Sequence, residues 1–403
     1  KQLTTRGFSS EFVGYNRLSC DAEVVLLVKD GEAVDSAAAE SRIEVVTTRT
    51  PFYGEAGGQV GDTGTLSAPG LRVVVDDTIK DPTGLIIHRG NLVQGEIKTG
   101  QRVKLSVDRT MREATQRNHT ATHILHAVLR RTLGDHVKQA GSLVAPDRLR
   151  FDFSHFSQID PETLDRIEDR VNERIRENVS TGIVEMEAEE AFKSGATALF
   201  EEKYGDQVRV VALSDFSKEL CGGTHVSHTG DIGYFKIVGE SSVASGVRRI
   251  EALTGAGAVK YAQSLESLLK RTARCLKDSP EAVPQKVDKL ISDYKAVEKE
   301  VERLKAKIAT LSAGGGEQEA KSIKGISVVV KQVEVEKAAA LRDLADQFKD
   351  KIKSGIVVLG SVSDGKALLI AVVTKDLVDR YNAGKIVKEL AAMVGGSGGG
   401  RPD

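Results

Sequence analysis

Three cysteines, Cys20, Cys221 and Cys275, are all that this chain of 403 residues contains. An odd and widely scattered set does not make a disulfide framework, which points to a reducing compartment, the cytoplasm. Long apolar runs are scarce as well. The longest, such as Ala367-Leu-Leu-Ile-Ala-Val-Val373, falls far below the roughly 18 residues that span a bilayer, and no signal peptide is visible. No sign of charge dominates, because 57 Lys and Arg face 58 Asp and Glu for a net charge of -1. Any RNA contact must therefore come from local basic patches and not from overall charge. The length allows several domains, each with its own core.

Two short clusters stand out against this background. His119 and His123, in Asn118-His-Thr-Ala-Thr-His123, are spaced i, i+4 within a helical apolar run of Ala121, Ile124, Leu125, Val128 and Leu129, so both imidazoles leave one helix face. Cys221 and His225 sit in Cys221-Gly-Gly-Thr-His225, where glycines let the backbone turn tightly. A thiolate and an imidazole from that short loop could converge on the helical pair, so the four side chains are expected as a ligand set for one zinc ion. Any one of them alone would read as a core residue, but two paired spacings argue for metal or catalysis. Arg117, His126 and His155 are weaker candidates, with His126 read as a core or supporting histidine. A zinc peptidase is disfavoured, since it needs Glu directly after the first His and this chain has Thr120.

The surrounding words resemble the editing domain of the alanyl-tRNA synthetase family. Arg117-Asn-His-Thr-Ala-Thr-His123, Gln139-Ala-Gly-Ser142, Arg150-Phe-Asp-Phe-Ser154, Ala198-Leu-Phe200 with Glu202-Lys-Tyr204, Glu219-Leu-Cys-Gly-Gly-Thr-His225, Thr229-Gly-Asp-Ile-Gly233 and Gly246-Val-Arg-Arg-Ile-Glu251 follow that family's order. The resemblance covers most of the chain. Lys1 opens it without methionine and Gly395-Gly-Ser-Gly-Gly-Gly-Arg-Pro402 precedes its last residue, so an excised C-terminal fragment is expected, lacking the half that activates alanine and not charging tRNA itself.

The expected fold class is multidomain α+β. Residues 1–110 hold short strand-like runs at Ala22 to Val28, Arg42 to Thr48, Leu71 to Val75, Leu85 to His88 and Arg102 to Val107, suggesting a small β-barrel. Its glycine loop, Pro51-Phe-Tyr-Gly-Glu-Ala-Gly-Gly-Gln-Val-Gly-Asp-Thr-Gly64, is either a set of wall turns or a loop leaning over the pocket. Residues 111–255 form the α/β editing core, with an amphipathic helix starting at Pro161 and strands at Arg209 to Leu213 and Tyr234 to Val238. Over 256–318, Val283, Val287, Leu290, Tyr294, Val297, Val301, Leu304, Ile308 and Leu311 recur as a coiled-coil seam, which a preceding helix around Tyr261 to Leu276 or a second chain must bury; the hairpin within one chain is favoured, and Ala313-Gly-Gly-Gly316 is a linker. Residues 319–403 read as a small α/β domain: strand Ile326 to Val330, helix Lys337 to Lys351, a hairpin of Ile356 to Val362 with Ala367 to Val373 around Asp364-Gly365, and helix Leu377 to Val394. In the resembled family this end is similar to a module of DHH-type phosphoesterases, binds nucleic acid and bridges subunits.

The resemblance implies a hydrolase that removes serine or glycine from wrongly charged tRNA for alanine. A pocket sized for alanine rejects glycine and serine poorly, so a second sieve is needed. His119, His123, Cys221 and His225 are expected to bind zinc; Gln139, by resemblance, and Thr122, by adjacency, orient the amino acid or the water; Arg248 and Arg249 hold phosphates near the tRNA 3' end. Four protein ligands describe a closed, structural-looking site, whereas a catalytic zinc keeps a position open. Five-coordination, displacement of one ligand and a metal-free site all stay open, the last because threonyl-type editing domains carry a similar His/Cys set. The alternatives are a non-catalytic tRNA-binding or dimerisation appendage with structural zinc and, less favoured, a metallopeptidase. tRNA for alanine and a second copy of the chain are the expected partners, with no membrane.

Overall fold

The computed structural model describes residues 7, 9–197, 206–314, 320–335, 337–363 and 365–403, with backbone alone at 309–314. The expected motif words Ala198-Leu-Phe200 and Glu202-Lys-Tyr204, the glycines 315 and 316 and Asp364 of the expected hairpin turn lie outside the described residues, as does the side chain of Leu311. The chain divides into two compact units, Lys1–Leu268 and Leu269–Asp403.

The first unit opens with a closed barrel of six antiparallel strands: β1 (Ser19–Lys29), β2 (Ser41–Thr47), β3 (Gly64–Ala68), β4 (Leu71–Lys80), β5 (Ile86–Gln94) and β6 (Arg102–Val107). The spatial order is β1-β2-β5-β4-β3-β6, and the pairing of β6 with β1 closes the ring. Alternation makes the wall two-faced. In β4, Leu71, Val73 and Val75 are buried while Arg72, Val74 and Asp76 between them are exposed, the period of two that a half-buried antiparallel strand requires. Asp30 and Gly31, with φ of 51° and 82°, supply the left-handed pair that a tight hairpin turn after β1 requires.

Next comes α1 (Arg109–Leu133), capped by the Asp108 side chain accepting from Met111 N–H and ended at Gly134, whose φ is 117°. With α2 (Pro161–Arg176), which starts on Pro161 and is capped by Asp160, it covers a four-stranded antiparallel sheet. That sheet runs β7 (Gln139–Val144), β8 (Leu149–Ser154), β13 (Val247–Thr254), β12 (Phe235–Ala244). Ala121, Ile124, Leu125, Val128 and Leu129 of α1 bury against Ile167, Val171 and Ile175 of α2 and Phe151, Phe153 and Ile250 of the sheet. The apolar spacing of α1 thus faces the core, and its histidines sit at the edge of that face. A three-stranded antiparallel sheet, β9 (Thr181–Glu187), β10 (Gln207–Leu213) and β11 (Ser217–Leu220), leads into the Cys221 turn.

Helix α3 (Gly255–Leu276) follows, then a 3-10 turn at Pro280–Ala282 and helix α4 (Val283–Gly314). The seam of α4 is not covered: Val287, Leu290, Tyr294, Val297, Val301, Leu304 and Ile308 are 39% to 69% exposed. The expected burial of this seam by the preceding helix is therefore not observed. Heptad spacing reports what a helix would bury, not which chain supplies the partner.

In the second unit a four-stranded sheet, β14 (Lys321–Ile323), β15 (Ile326–Gln332), β16 (Gly355–Ser363) and β17 (Lys366–Val373), pairs β15 parallel to β16 through the crossover helix α5 (Ala338–Ile352). The closing helix is shorter than expected. It spans Ala383–Met393, not 377–394, because the Asn382 side chain accepts from Lys385 N–H and caps it there. No helix among the described residues is long and apolar enough to cross a membrane.

One buried ion pair fixes α1 to the barrel. Arg112, 1% exposed, donates through Nε to both oxygens of Asp62 at 3.0 Å and pairs with it again through Nη2. It also donates to the carbonyls of Gly14 at 2.7 Å and Pro51 at 2.8 Å. Removing one partner leaves the other charge buried, so Arg112→Ala should lower unfolding stability by about 3–5 kcal/mol. A denaturant titration checks it, and a loss below about 1 kcal/mol would show the pair to be dispensable.

Candidate functional site

His119 and His123 lie one helical turn apart on α1 with rings stacked at 5.2 Å and 8°. The Cys221 turn meets them: Sγ lies 3.4 Å from His119 Nε2 and 3.3 Å from His225 Nε2. One ligand atom from each of the four residues falls within 4.8 Å of all the others. The histidines are buried and Cys221 is half-buried.

Several groups hold the turn in place. Arg209 on β10 donates to the carbonyls of Cys221 at 2.9 Å and Gly223 at 2.8 Å, and Tyr15 donates to Gly222 O at 2.7 Å. The Arg209 guanidinium stacks over the Tyr15 ring at 4.1 Å. Gly223 must be glycine for space, since a Cβ there would sit 2.0 Å from His119 Cε1.

Each imidazole is also gripped from outside. His119 Nδ1 lies 2.8 Å from Gln59 Oε1, and Gln59 in turn donates to Thr224 Oγ1 and accepts from Thr224 N–H. His123 Nδ1 meets Glu219, whose other oxygen holds His126 Nδ1 at 2.8 Å. His225 Nδ1 lies 3.1 Å from Thr120 Oγ1, whose hydroxyl donates to Gln116 O, leaving the oxygen to accept from His225 and from Val226 N–H. With Nδ1 of each ring held from outside, Nε2 of all three rings faces the common centre, the orientation a metal-binding histidine takes once that nitrogen is deprotonated. The buried Nε2 of His123 has no hydrogen-bond partner. The donor chemistry, three imidazoles and a thiolate, fits zinc.

Electrostatics agree. Burial pushes the Cys221 thiol up, but His119, then His225 and His123, outweigh it and hold it well below the usual thiol range. Burial and the charge of His119 bring His225 down to about 3. Burial pulls His123 down, yet Glu219 and Cys221 outweigh it and push it up to about 10. Glu219 is raised by burial but lowered further by His123 and His126, to about 2.

A cavity of about 390 Å³ adjoins the cluster. His119, Thr122, His123, Gln139 and Cys221 line it from the core, and Tyr53, Gly57 and Lys80 from the barrel side. Thr122 Oγ1 donates to Asn118 O at 2.8 Å, which leaves the oxygen free to accept. The glycine loop thus leans over the pocket: Gln59 is fully buried against His119, and Gly58, at φ of 85°, passes so close to Ser142 that a Cβ would lie 2.6 Å from its carbonyl.

Six of the expected site residues come together here. Arg248 and Arg249 do not line this cavity; on β13, Arg248 binds Glu240 at 2.5 and 2.6 Å and Arg249 binds Asp152 with two bonds of 2.7 Å. Sequence reasoning gave Gln59, Glu219 and Thr120 no role in holding the imidazoles. The only signals were that Glu219 stands two residues before Cys221 and that Gln59 belongs to a glycine loop read as one that could lean over the pocket.

The comparisons with known proteins fall on these same parts, the barrel, the strands that carry the Cys221 turn and the C-terminal unit, and their class is that of the tRNA synthetases. The family model described as tRNA synthetases class II (A) matches residues 1–111, the threonyl and alanyl tRNA synthetase second additional domain matches 208–251, and the DHHA1 domain matches 325–403. The alanine–tRNA ligase of Desulfosudis oleivorans is 55% identical over 100% of this chain and 46% of its own length. That of Acetivibrio thermocellus is 47% identical over 99% of this chain and 45% of its own, and that of Carboxydothermus hydrogenoformans 46% over 100% and 46%. The chain belongs to the alanine–tRNA ligase family and spans about half the length of the curated relatives it matches.

The Glu219 bonds make a pH prediction. Its folded pKa of about 2 lies below the ordinary 4.5, so its contribution to stability is complete above about pH 4.5 and lost as pH falls toward 2. Glu219→Gln should therefore be less stable at pH 7 and lose less on acidification across that window. Denaturant midpoints at several pH values test this, and parallel acid limbs for the two proteins would refute it.

Proposed function

We propose that this chain is an editing hydrolase for wrongly charged tRNA, cleaving the ester between serine or glycine and the 3' end of tRNA for alanine. The convergence of three imidazole Nε2 atoms and a thiolate beside a polar cavity is the observation that carries this reading. Water adds to the ester carbonyl, the ester C–O bond breaks, and the ribose oxygen leaves with a proton, giving free amino acid and intact tRNA. His119, His123, Cys221 and His225 would hold one zinc ion, which when bound polarises a carbonyl or a water. Thr122, with its own proton engaged, accepts from the serine hydroxyl, and Gln139 orients the amino acid or the water. Alanine would leave that acceptor unpaired, which discriminates serine from alanine; glycine has no hydroxyl, and its selection requires a separate steric contact.

In this reading residues 1–110 wall the cavity, 111–255 carry the chemistry, 256–318 the seam, and 319–403 a tRNA-binding end. Arg248 and Arg249 offer tRNA phosphates their outer faces while remaining paired to Glu240 and Asp152. The three free cysteines fit the cytoplasm.

Cys221→Ala should remove serine release from seryl-tRNA by at least about a hundredfold and lower bound zinc, with the fold intact, because it deletes a ligand and no large apolar group. Near-wild-type deacylation would sink the reading. A second reading, a tRNA-binding appendage with structural zinc, is favoured by the closed four-ligand set. It predicts tRNA binding and zinc without any ester hydrolysis in the unmodified protein.

A second copy of the chain is the proposed cover for the α4 seam. Leu304 is 43% exposed, so Leu304→Glu should cost the monomer under about 0.5 kcal/mol while converting dimer to monomer in sedimentation. A monomeric unmodified chain would remove the proposal.

A further inference from the structure

We propose that the adjoining rings of His136, His155 and Phe156 form a platform for an unpaired nucleobase of single-stranded RNA, among the nucleotides that precede the aminoacylated end. The inference rests on the cavity being an aminoacyl-ester site and extends that reading along the RNA strand. Phe156 is 85% exposed, the highest value among the large apolar side chains exposed in the described residues. It is not randomly placed. Its ring stacks on His136 at 5.3 Å and 24°, and His136 lies edge to edge with His155, nearly coplanar, at 5.2 Å between centroids and 21° between planes. A hydrogen bond of 2.9 Å between His136 Nε2 and His155 Nδ1 holds the two imidazoles in that arrangement.

The platform is the solvent end of a row of rings that begins at the cavity. His126, which lines the cavity, lies 5.3 Å from Phe151; Phe151 stacks on Phe153 at 5.9 Å, and Phe153 lies 6.4 Å from His155. Gln139, another lining residue, pairs with Phe153 across β7 and β8. At about 3.3 Å per strand residue, His155 lies about 7 Å along the sheet from the level of Gln139 and about 13 Å from Phe151. A strand whose last residue enters the cavity has its preceding bases within that reach.

The chemistry suits a base better than a protein. One exposed ring on a pair of polar rings offers a flat π-face but far less apolar area than a protein interface needs. Burial, then His136 and Arg248, push the His155 pKa down, so the ring is neutral at pH 7 and stacks without carrying charge. Exposed Lys138 follows His136 in the chain, and the Arg248–Glu240 ion pair is close enough to His155 to act on its charge, so cations are at hand for the backbone. With a net charge of -1 the chain cannot hold RNA by overall attraction, so placed contacts of this kind must do so.

The test uses the full chain and an unacylated single-stranded RNA carrying 2-aminopurine at either of the two positions before its 3' nucleotide. Binding should quench the fluorescence, and Phe156→Ala should abolish the quench and weaken binding about tenfold. Phe156→Tyr should restore both, whereas Phe156→Leu, which keeps apolar area without a π-face, should not. Since Phe156 is exposed, none of these changes should unfold the chain, and circular dichroism checks that. An unmodified chain that gives no quench, an Ala variant that quenches equally, or a Leu variant that restores the signal would each overturn the platform. Because the RNA carries no ester, absent deacylation in the unmodified chain would sink the hydrolase reading without altering this result.

Discussion

The burial of one guanidinium sets the geometry of everything around the cluster. Arg112 enters the protein interior on the first turn of α1 and is satisfied there by Asp62 and by the carbonyls of Gly14 and Pro51. Asp62 belongs to the glycine loop, so the loop cannot move without stranding a buried charge. Seven residues on, two helical turns along the same face, His119 meets Gln59 of that loop at 2.8 Å. The barrel and the helix are thereby registered twice, once by charge and once by an amide. The stability of the first contact fixes the aim of the second.

The three imidazoles are held from three different directions: Gln59 comes from the barrel loop, Glu219 from β11, and Thr120 from α1 itself. Disturbing any one support frees one ring and leaves the others constrained. Without a metal, a proton on His123 between Glu219 and the Cys221 thiolate balances charge at the centre, which is why burial fails to neutralise that ring. A cation at the centre would take over that balancing role, and metal binding would then displace the proton.

Much of this was legible in the sequence for local reasons. The i, i+4 histidines and the Cys-Gly-Gly-Thr-His turn are short-range patterns, and β4 announces itself by alternation. What was not legible is long-range. Gln59 lies 60 residues from His119 in the chain, and nothing in Gly-Gly-Gln says which imidazole it will meet. Arg248 and Arg249 looked like free cations because their carboxylate partners, Glu240 and Asp152, come from neighbouring strands. The closing helix was placed too early because apolar spacing continued through Leu377 and Val378, whereas the cap at Asn382 decides the start. The apolar residues of α4 recur at heptad spacing and yet stand exposed, because a period carries no address for its partner.

Thr120 marks how this cluster differs from that of a zinc peptidase. There the residue after the first helical His is a Glu that activates water; here the same position carries a hydroxyl that orients His225. The carboxylate comes instead from Glu219 on a strand, and both of its oxygens are engaged by His123 and His126. A carboxylate so engaged tunes and aims imidazoles and has no lone pair well placed to take a proton from water. Among the described residues the cavity lining brings the His119 and His123 rings, the Cys221 thiolate, the Thr122 hydroxyl and the Gln139 amide together with the charged side chains of Lys80, Arg209 and Glu219. The identity of one residue on α1 thus sets this centre apart from the peptidase pattern, because the hydroxyl that replaces the carboxylate holds a third imidazole in place.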